Sequence, residues 1–143
     1  MRFGTIGLVI MAACGGKSAP ATHTSDATLF VRLGGQPAIN AVVHEFVATT
    51  GSDPRISQYF TNVDVPKLEA SMDQHICAIT GGGCTYTGKT MLAAHTNMHL
   101  ADKDFDAFID DLTKTLAKLN VPKREAGDVI GAFKGMQPDV VGH

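Results

Sequence analysis

Chemically capable side chains cluster between His75 and His95, where two histidines bracket two cysteines and a glycine-rich stretch. His95 stands between Met91 and Met98 at helical spacing, which puts an imidazole on an apolar face. Such a histidine is either buried and satisfied by a carbonyl, or a ligand to a transition metal, for which neutral imidazole is the commonest protein donor. His75 follows Met72 by three residues and Leu68 by seven, so the three share one helix side. It faces the interior or turns outward at the helix end. Cys77 and Cys84, if paired, close a loop of about eight residues, worth roughly 2–3 kcal/mol in the chain-entropy view. Two free thiols are the alternative. A zinc site needs two further ligands at close spacing, and only His75 is near. Gly83-Cys84-Thr85-Tyr86-Thr87-Gly88-Lys89-Thr90 matches the phosphate-cradling pattern in which backbone N–H groups wrap the phosphates and Lys supplies charge. That loop requires a buried strand before it, for which only His75–Thr80 could pass. It also requires a doubly wound sheet after it, and only about fifty residues follow. Nucleotide binding at Gly83–Thr90 is the remote alternative.

These residues must be positioned by helices. Ile39, Val42, Val43, Phe46 and Val47 recur at three and four after the Gly34-Gly35 and Pro37 breaks. Gly51 to Pro54 end that run, and Ile56 to Phe60 form a short aromatic turn. Asp64-Val65-Pro66 starts a helix, with a capping Asp and Pro in the first turn. Leu68, Met72, Ile76 and Ile79 follow, and Gly81–Gly83 stop it. After Gly88, Met91, Leu92, His95 and Met98 fall on one helical face. Asp102 is the expected cap of a helix carrying Phe105, Phe108, Ile109, Leu112, Leu116 and Leu119. A last helix is expected from Lys123 to Met136, with Val129, Ile130 and Phe133 inside and Pro138 ending it. No segment alternates with period two, so the fold class is all-α.

The chain has 143 residues, 44% hydrophobic and 18% charged, with a net charge of −2. That is room for one domain, with no basic excess for a nucleic-acid partner and too much apolar character for wholesale disorder. Residues 1–13 read as a signal peptide: Arg2 precedes a short apolar run ending Met11-Ala12-Ala13-Cys14. The run is similar to a bacterial lipoprotein signal, in which Cys14 becomes the lipidated N-terminus. Residues 14–27 are a Gly/Ser/Ala/Thr/Pro-rich tether, and His23 lies within it. The folded domain is expected over 28–143. Location in a bacterial cell envelope, facing the periplasm and held to the membrane by lipid on Cys14, is the expectation. Outside the reducing cytoplasm, disulfides persist.

The ordered set Leu33-Gly34-Gly35 with Ile39, Phe46, Tyr59-Phe60, Tyr86-Thr87-Gly88, Met91-x-x-x-His95 and Phe105-Asp106 resembles the group I truncated haemoglobins. The likeness runs from about Leu29 to Pro138. It implies a two-over-two helical sandwich around one haem b, with His95 as proximal iron ligand and Phe60 as the haem-packing Phe. It further implies pocket walls from Phe46, Val47, Leu68, Met72, His75, Ile76, Met91, Met98, Leu100 and Phe105, Phe108 being more simply core. A subset of the family carries two cysteines where Cys77 and Cys84 stand, which implies their pairing.

The departures lie on the ligand side of the pocket. The family commonly has Tyr after the Phe matching Phe46, and here that residue is Val47. The early position of the distal helix, often Gln or Leu in the family, is Leu68, and the position one turn on, often Gln, is Met72. Without a donor, a bound diatomic ligand lacks a hydrogen bond worth about 1–3 kcal/mol. His75, where the family usually has Phe, is the best remaining donor and a possible second iron ligand. Met72 as sixth ligand would imply electron transfer instead. His99 is placed near a haem propionate or in solvent, His44 on the outer face, and His143 in a disordered terminus. The resemblance thus implies reversible binding of O2 or NO by a monomer, served by a reductase the sequence does not identify. NO dioxygenation or a peroxidase-like side activity is the enzymatic possibility. A bis-ligated electron carrier or redox sensor is the alternative.

Overall fold

The computed structural model describes residues 27–143. The expected signal peptide, Cys14 and nearly all of the tether lie outside the described residues. Among the described residues the regular elements are all helical: α1 (Leu29–Leu33), α2 (Gly35–Ser52), a 3₁₀ turn (Ser57–Phe60), α3 (Val65–Ile79), α4 (Met91–His95), α5 (Asp102–Lys118), α6 (Lys123–Lys134) and α7 (Gln137–Val140). None of these is long and apolar enough to cross a membrane.

The helix α2 packs on both α3 and α5, and α5 packs on α6, giving the expected two-over-two arrangement. The core lies where the four meet. Ile39, Val43, Phe46 and Val47 come from α2, Ile76 from α3, Phe105, Ile109, Leu112 and Leu116 from α5, and Val129 and Phe133 from α6. These are the three-and-four spacings of the sequence, buried as one stripe per helix. Thr50 is also fully buried on α2, and its hydroxyl donates back to the Phe46 carbonyl (3.0 Å), so this hydroxyl is not stranded.

Helix α1 escaped the sequence reading because five residues are too few for a period. Thr28 caps it, and Gly34 (φ 105°) ends it in the left-handed region that glycine reaches without strain. Arg32 then fastens α1 to α6 through Glu125 (3.1 Å) and Asp128 (2.6 Å). Between α2 and the 3₁₀ turn, Arg55 bonds Asp53 and reaches Asp110 of α5 (2.8 Å). Its guanidinium holds the Asp53 carboxyl down to about 2. Asp64 caps α3 as expected, accepting from the Lys67 N–H (3.2 Å).

Four expectations are corrected. The helix at His95 stops there, so Met98 lies beyond it, and Leu92 is 45% exposed rather than on the buried face. Asn97 (φ 68°) and His99 (φ 51°) are left-handed and turn the chain sharply toward α5. Asp102 is the first residue of α5, not its cap. The cap is Ala101, whose N–H is taken by Asp104 (2.9 Å). The last helix breaks after Lys134, and Pro138 sits in the first turn of α7, where its missing N–H costs nothing. His143 is held rather than loose: its carbonyl accepts from the His99 N–H (2.8 Å), and its Nε2 donates to the Pro138 carbonyl (2.9 Å). Beside it, the Gly142 N–H donates to the Leu100 carbonyl (2.9 Å). The stretch that could pass for a phosphate-loop strand, His75–Thr80, is the end of α3 and its cap, and a single helical turn follows Thr90. The nucleotide reading therefore loses its strand.

Candidate functional site

A cavity of about 320 Å³ opens between α2, α3, α4 and α5. Its volume falls at the lower end of small-molecule sites, about 300–1,000 Å³. All twelve residues expected to contact the cofactor line it: Phe46 and Val47 from α2, Phe60 from the 3₁₀ turn, Leu68, Met72, His75 and Ile76 from α3, Met91 and His95 from α4, and Met98, Leu100 and Phe105 beyond. The aromatic floor is layered. Phe108 meets Phe46 edge-on at 4.8 Å and stacks on Phe105 at 6.1 Å, with Phe133 behind at 5.8 Å. Edge-to-face and offset pairs of this kind suit the ring quadrupoles and stiffen the wall.

His95 closes α4 on the cavity. Its Nδ1 lies 2.7 Å from the Met91 carbonyl oxygen, one turn back. A carbonyl only accepts, so Nδ1 carries a proton, and in the neutral tautomer this leaves the lone pair on Nε2. The two readings of this histidine are therefore compatible: the carbonyl satisfies one nitrogen and thereby readies the other as a metal donor. Thr90 steadies this short helix, its hydroxyl accepting from the Ala93 N–H (3.2 Å). The turn after His95 is clamped by residues 142 and 143, and α7 packs on α4.

His75 faces inward. Its Nε2 is buried without a protein partner, and its ring meets the Tyr86 ring edge-on, centroids 4.8 Å apart at 66°. Burial lowers its pKa below the usual histidine value, so the ring is neutral at pH 7 and carries one N–H. Val47, Leu68 and Met72 leave that side of the cavity without other strong donors from the expected set. Cys77 is fully buried, and it is disulfide-bonded to Cys84, with Cα atoms 5.7 Å apart. His99 is exposed, with its backbone engaged by His143, and His44 is exposed beside Glu69 (3.0 Å).

The sequence reading missed several polar lining residues: Thr50, Tyr59, Ser71, Tyr86 and Asp104. Tyr59 donates to Asp104 (3.2 Å) at the cavity edge. Ser71 was within reach of the pattern, since it lies three after Leu68 and four before His75 on the same helix side. Tyr86 sits in a loop without periodicity, so no spacing announced it. As a whole, the cavity offers a broad apolar enclosure, one imidazole with a free donor nitrogen and one neutral imidazole without a partner. That set suits a flat apolar group carrying a metal ion that accepts nitrogen.

The bacterial-like globin family profile matches residues 28–141. The chain is 32% identical to a group 1 truncated hemoglobin of Tetrahymena thermophila over 115 residues, covering 80% of this chain and 95% of that one. It is 34% identical to the group 1 truncated hemoglobin GlbN of a Synechocystis species over 112 residues, covering 73% and 90%. Among solved structures, the truncated hemoglobin of Tetrahymena pyriformis in its Fe(III) form matches with a TM-score of 0.78 at 29% identity, over 82% of this chain and 100% of that one. The 2/2 hemoglobin of a Synechococcus species, with covalently attached heme, matches with a TM-score of 0.76 at 30% identity, over 80% and 98%.

Proposed function

Because the chain belongs to the bacterial-like globin family, and within it to the group 1 truncated haemoglobins, we propose that His95 is the axial ligand of one haem b and that the protein reversibly binds O2 or NO there. Haem b, when bound, would supply an iron that takes up a diatomic molecule. The observation that carries the assignment is the His95 Nδ1 bond to Met91, which leaves Nε2 as the donor nitrogen at an apolar cavity. The walls fit the group. Phe46, Phe60, Met91, Met98, Leu100 and Phe105 exclude water from a flat hydrophobic surface, which favours retention.

His75 is the donor proposed to meet the ligand. Neutral and inward-facing, it offers an N–H where Val47, Leu68 and Met72 offer none. One such bond against three apolar neighbours supports a weakly held ligand, which favours binding and release over oxygenation chemistry. The Cys77–Cys84 pair and the short apolar run that ends at Cys14 support the further reading of a lipid-anchored protein of the cell envelope. A reductase acting on the iron is part of the same proposal.

The test is retention. His95→Ala, loaded under the same conditions as wild type, is expected to lose stoichiometric haem on a desalting column and to lose its sharp Soret band. Added imidazole, entering the space the side chain leaves, should restore the band. Normal retention and an unchanged spectrum in His95→Ala would remove the assignment.

A further inference from the structure

We infer that Tyr86 is a positioning residue for His75, and that the Cys77–Cys84 disulfide holds Tyr86 in place, so the thiol state of one loop sets how the cavity meets its ligand. The inference rests on the reading of His75 as the ligand's donor.

The geometry is local. Cys77 follows His75 by two residues, and Tyr86 follows Cys84 by two, so the covalent bridge joins the two short stretches that carry the rings. The segment 83–89 has no regular structure. Among the described residues, its one side-chain hydrogen bond is internal, from the Tyr86 hydroxyl to the Lys89 carbonyl (2.8 Å). That bond stiffens the loop without fastening it to anything else. What joins the loop to α3 is the disulfide and the contact of the two rings, 4.8 Å apart. His75 Nε2 has no protein partner, so no hydrogen bond at that nitrogen fixes the imidazole. The Tyr86 ring packs edge-on against it and restricts its rotation. Gly88 is shaped to the same ring, since a Cβ there would run into the Tyr86 side chain. Gly81 (φ 84°), just before the loop, and Gly83 (φ 77°), its first residue, are both left-handed and supply its hinge once the bridge opens.

The two sulfurs differ in access. Cys84 is on the exposed loop and Cys77 is fully buried. A dithiol reductant therefore attacks Cys84. The protein S–S bond breaks, Cys77 leaves as thiolate and takes up a proton, and the second reductant thiol then displaces Cys84. In sum, two electrons and two protons pass to the protein, and the dithiol closes to its own disulfide. The loop is then free to move on its glycines, and the wall beside His75 moves with it.

The experiment uses haem-loaded protein with and without dithiothreitol, in wild type, Tyr86→Ala, Tyr86→Phe and His75→Phe. Three quantities are read: the NMR cross-relaxation between the His75 and Tyr86 rings in the ferrous carbon monoxide complex, the C–O stretching frequency of that complex, and the O2 release rate. In wild type, dithiothreitol should abolish the cross-relaxation, move the C–O stretch to its His75→Phe value and speed release roughly 5- to 150-fold, as expected for one lost hydrogen bond. Tyr86→Ala should behave so without reductant. Tyr86→Phe, which keeps the ring, should stay near wild type, and His75→Phe should ignore dithiothreitol. If reduction leaves cross-relaxation and release unchanged while His75→Phe alters release, the inference fails and the reading of His75 stands. If His75→Phe releases O2 at the wild-type rate, the reading of His75 fails and the inference with it. Should Tyr86→Ala not load, reduced wild type decides alone.

Discussion

Adding a hydroxyl at position 47 tests the proposal that the absence of donors leaves the ligand weakly held. Val47 is only 6% exposed and already borders the cavity of about 320 Å³, so a ring placed there extends into existing space rather than into packed core. Its neighbours on the cavity surface, Leu68 and Met72, offer no oxygen or nitrogen that would compete for the hydroxyl. A tyrosine O–H pointing to the ligand forms its bond in an enclosed apolar space where water is excluded. Such a bond contributes about 1–3 kcal/mol, which slows release by roughly 5- to 150-fold if the transition state for release lacks it. The control is Val47→Phe, which adds the same ring without the hydroxyl and reports the steric effect alone. O2 release is followed by stopped-flow displacement with carbon monoxide, and the C–O stretch of the ferrous complex gives an independent reading of the donor. Val47→Tyr should release O2 more slowly than Val47→Phe and lower the C–O stretch. Equal rates and equal stretches in the two variants would refute the reasoning that polarity at this wall, rather than shape, governs retention.

Three further outcomes are expected. Burial lowers the His75 pKa in the fold, so the unfolded chain takes up the proton first on acidification. Stability should therefore fall as pH drops below the unfolded histidine value of about 6.5, and level off once the folded pKa is passed. Urea midpoints at a series of pH values should show this decline in wild type and a shallower one in His75→Phe, and parallel curves would count against it. At Gly82 an added Cβ would lie 2.5 Å from the Cys77 sulfur and 2.5 Å from the Phe30 ring. Gly82→Ala should cost roughly 1–3 kcal/mol, the usual range for overpacking, and an unchanged urea midpoint would show that the corner yields freely. Cys14→Ser should move the protein from the membrane fraction to the soluble fraction, and unaltered fractionation would argue against a lipid anchor.

The long helices were legible because each buries one stripe of side chains, and a stripe leaves a period in the sequence. Phe46, Leu112 and Leu116 announced themselves in this way. The proposal of His95 as the iron ligand came from its place in an ordered set of residues, while spacing alone left it open to a simple buried role. The errors fall where chain direction is set by single backbone torsions. Asn97 and His99 take left-handed conformations that their residue types signal only weakly, so the helix at His95 was drawn too long. The break after Lys134 was invisible for the same reason: Pro138 tolerates a first helical turn as readily as it ends a helix. Polar lining residues were missed because their position depends on loops closing in space. Tyr86 reaches the cavity through a disulfide and a glycine corner, neither of which has a period.

The clamp on the turn after His95 has a bearing on how the molecule is assembled. His99 and Leu100 are tied to His143 and Gly142, and α4 rests on α7. The histidine that closes the cavity is thus supported by residues translated long after it. A chain leaves the ribosome N-terminal end first, and a domain generally folds as a unit. A nascent chain that has emerged only as far as α5 presents the apolar walls of α2 and α3 before the brace beneath α4 exists. A cofactor met at that stage finds a surface to adhere to but no firmly aimed donor. Productive loading therefore belongs to a time after α7 has been made. In a chain that crosses a membrane unfolded, it belongs to the far side as well, where the cofactor must then be supplied.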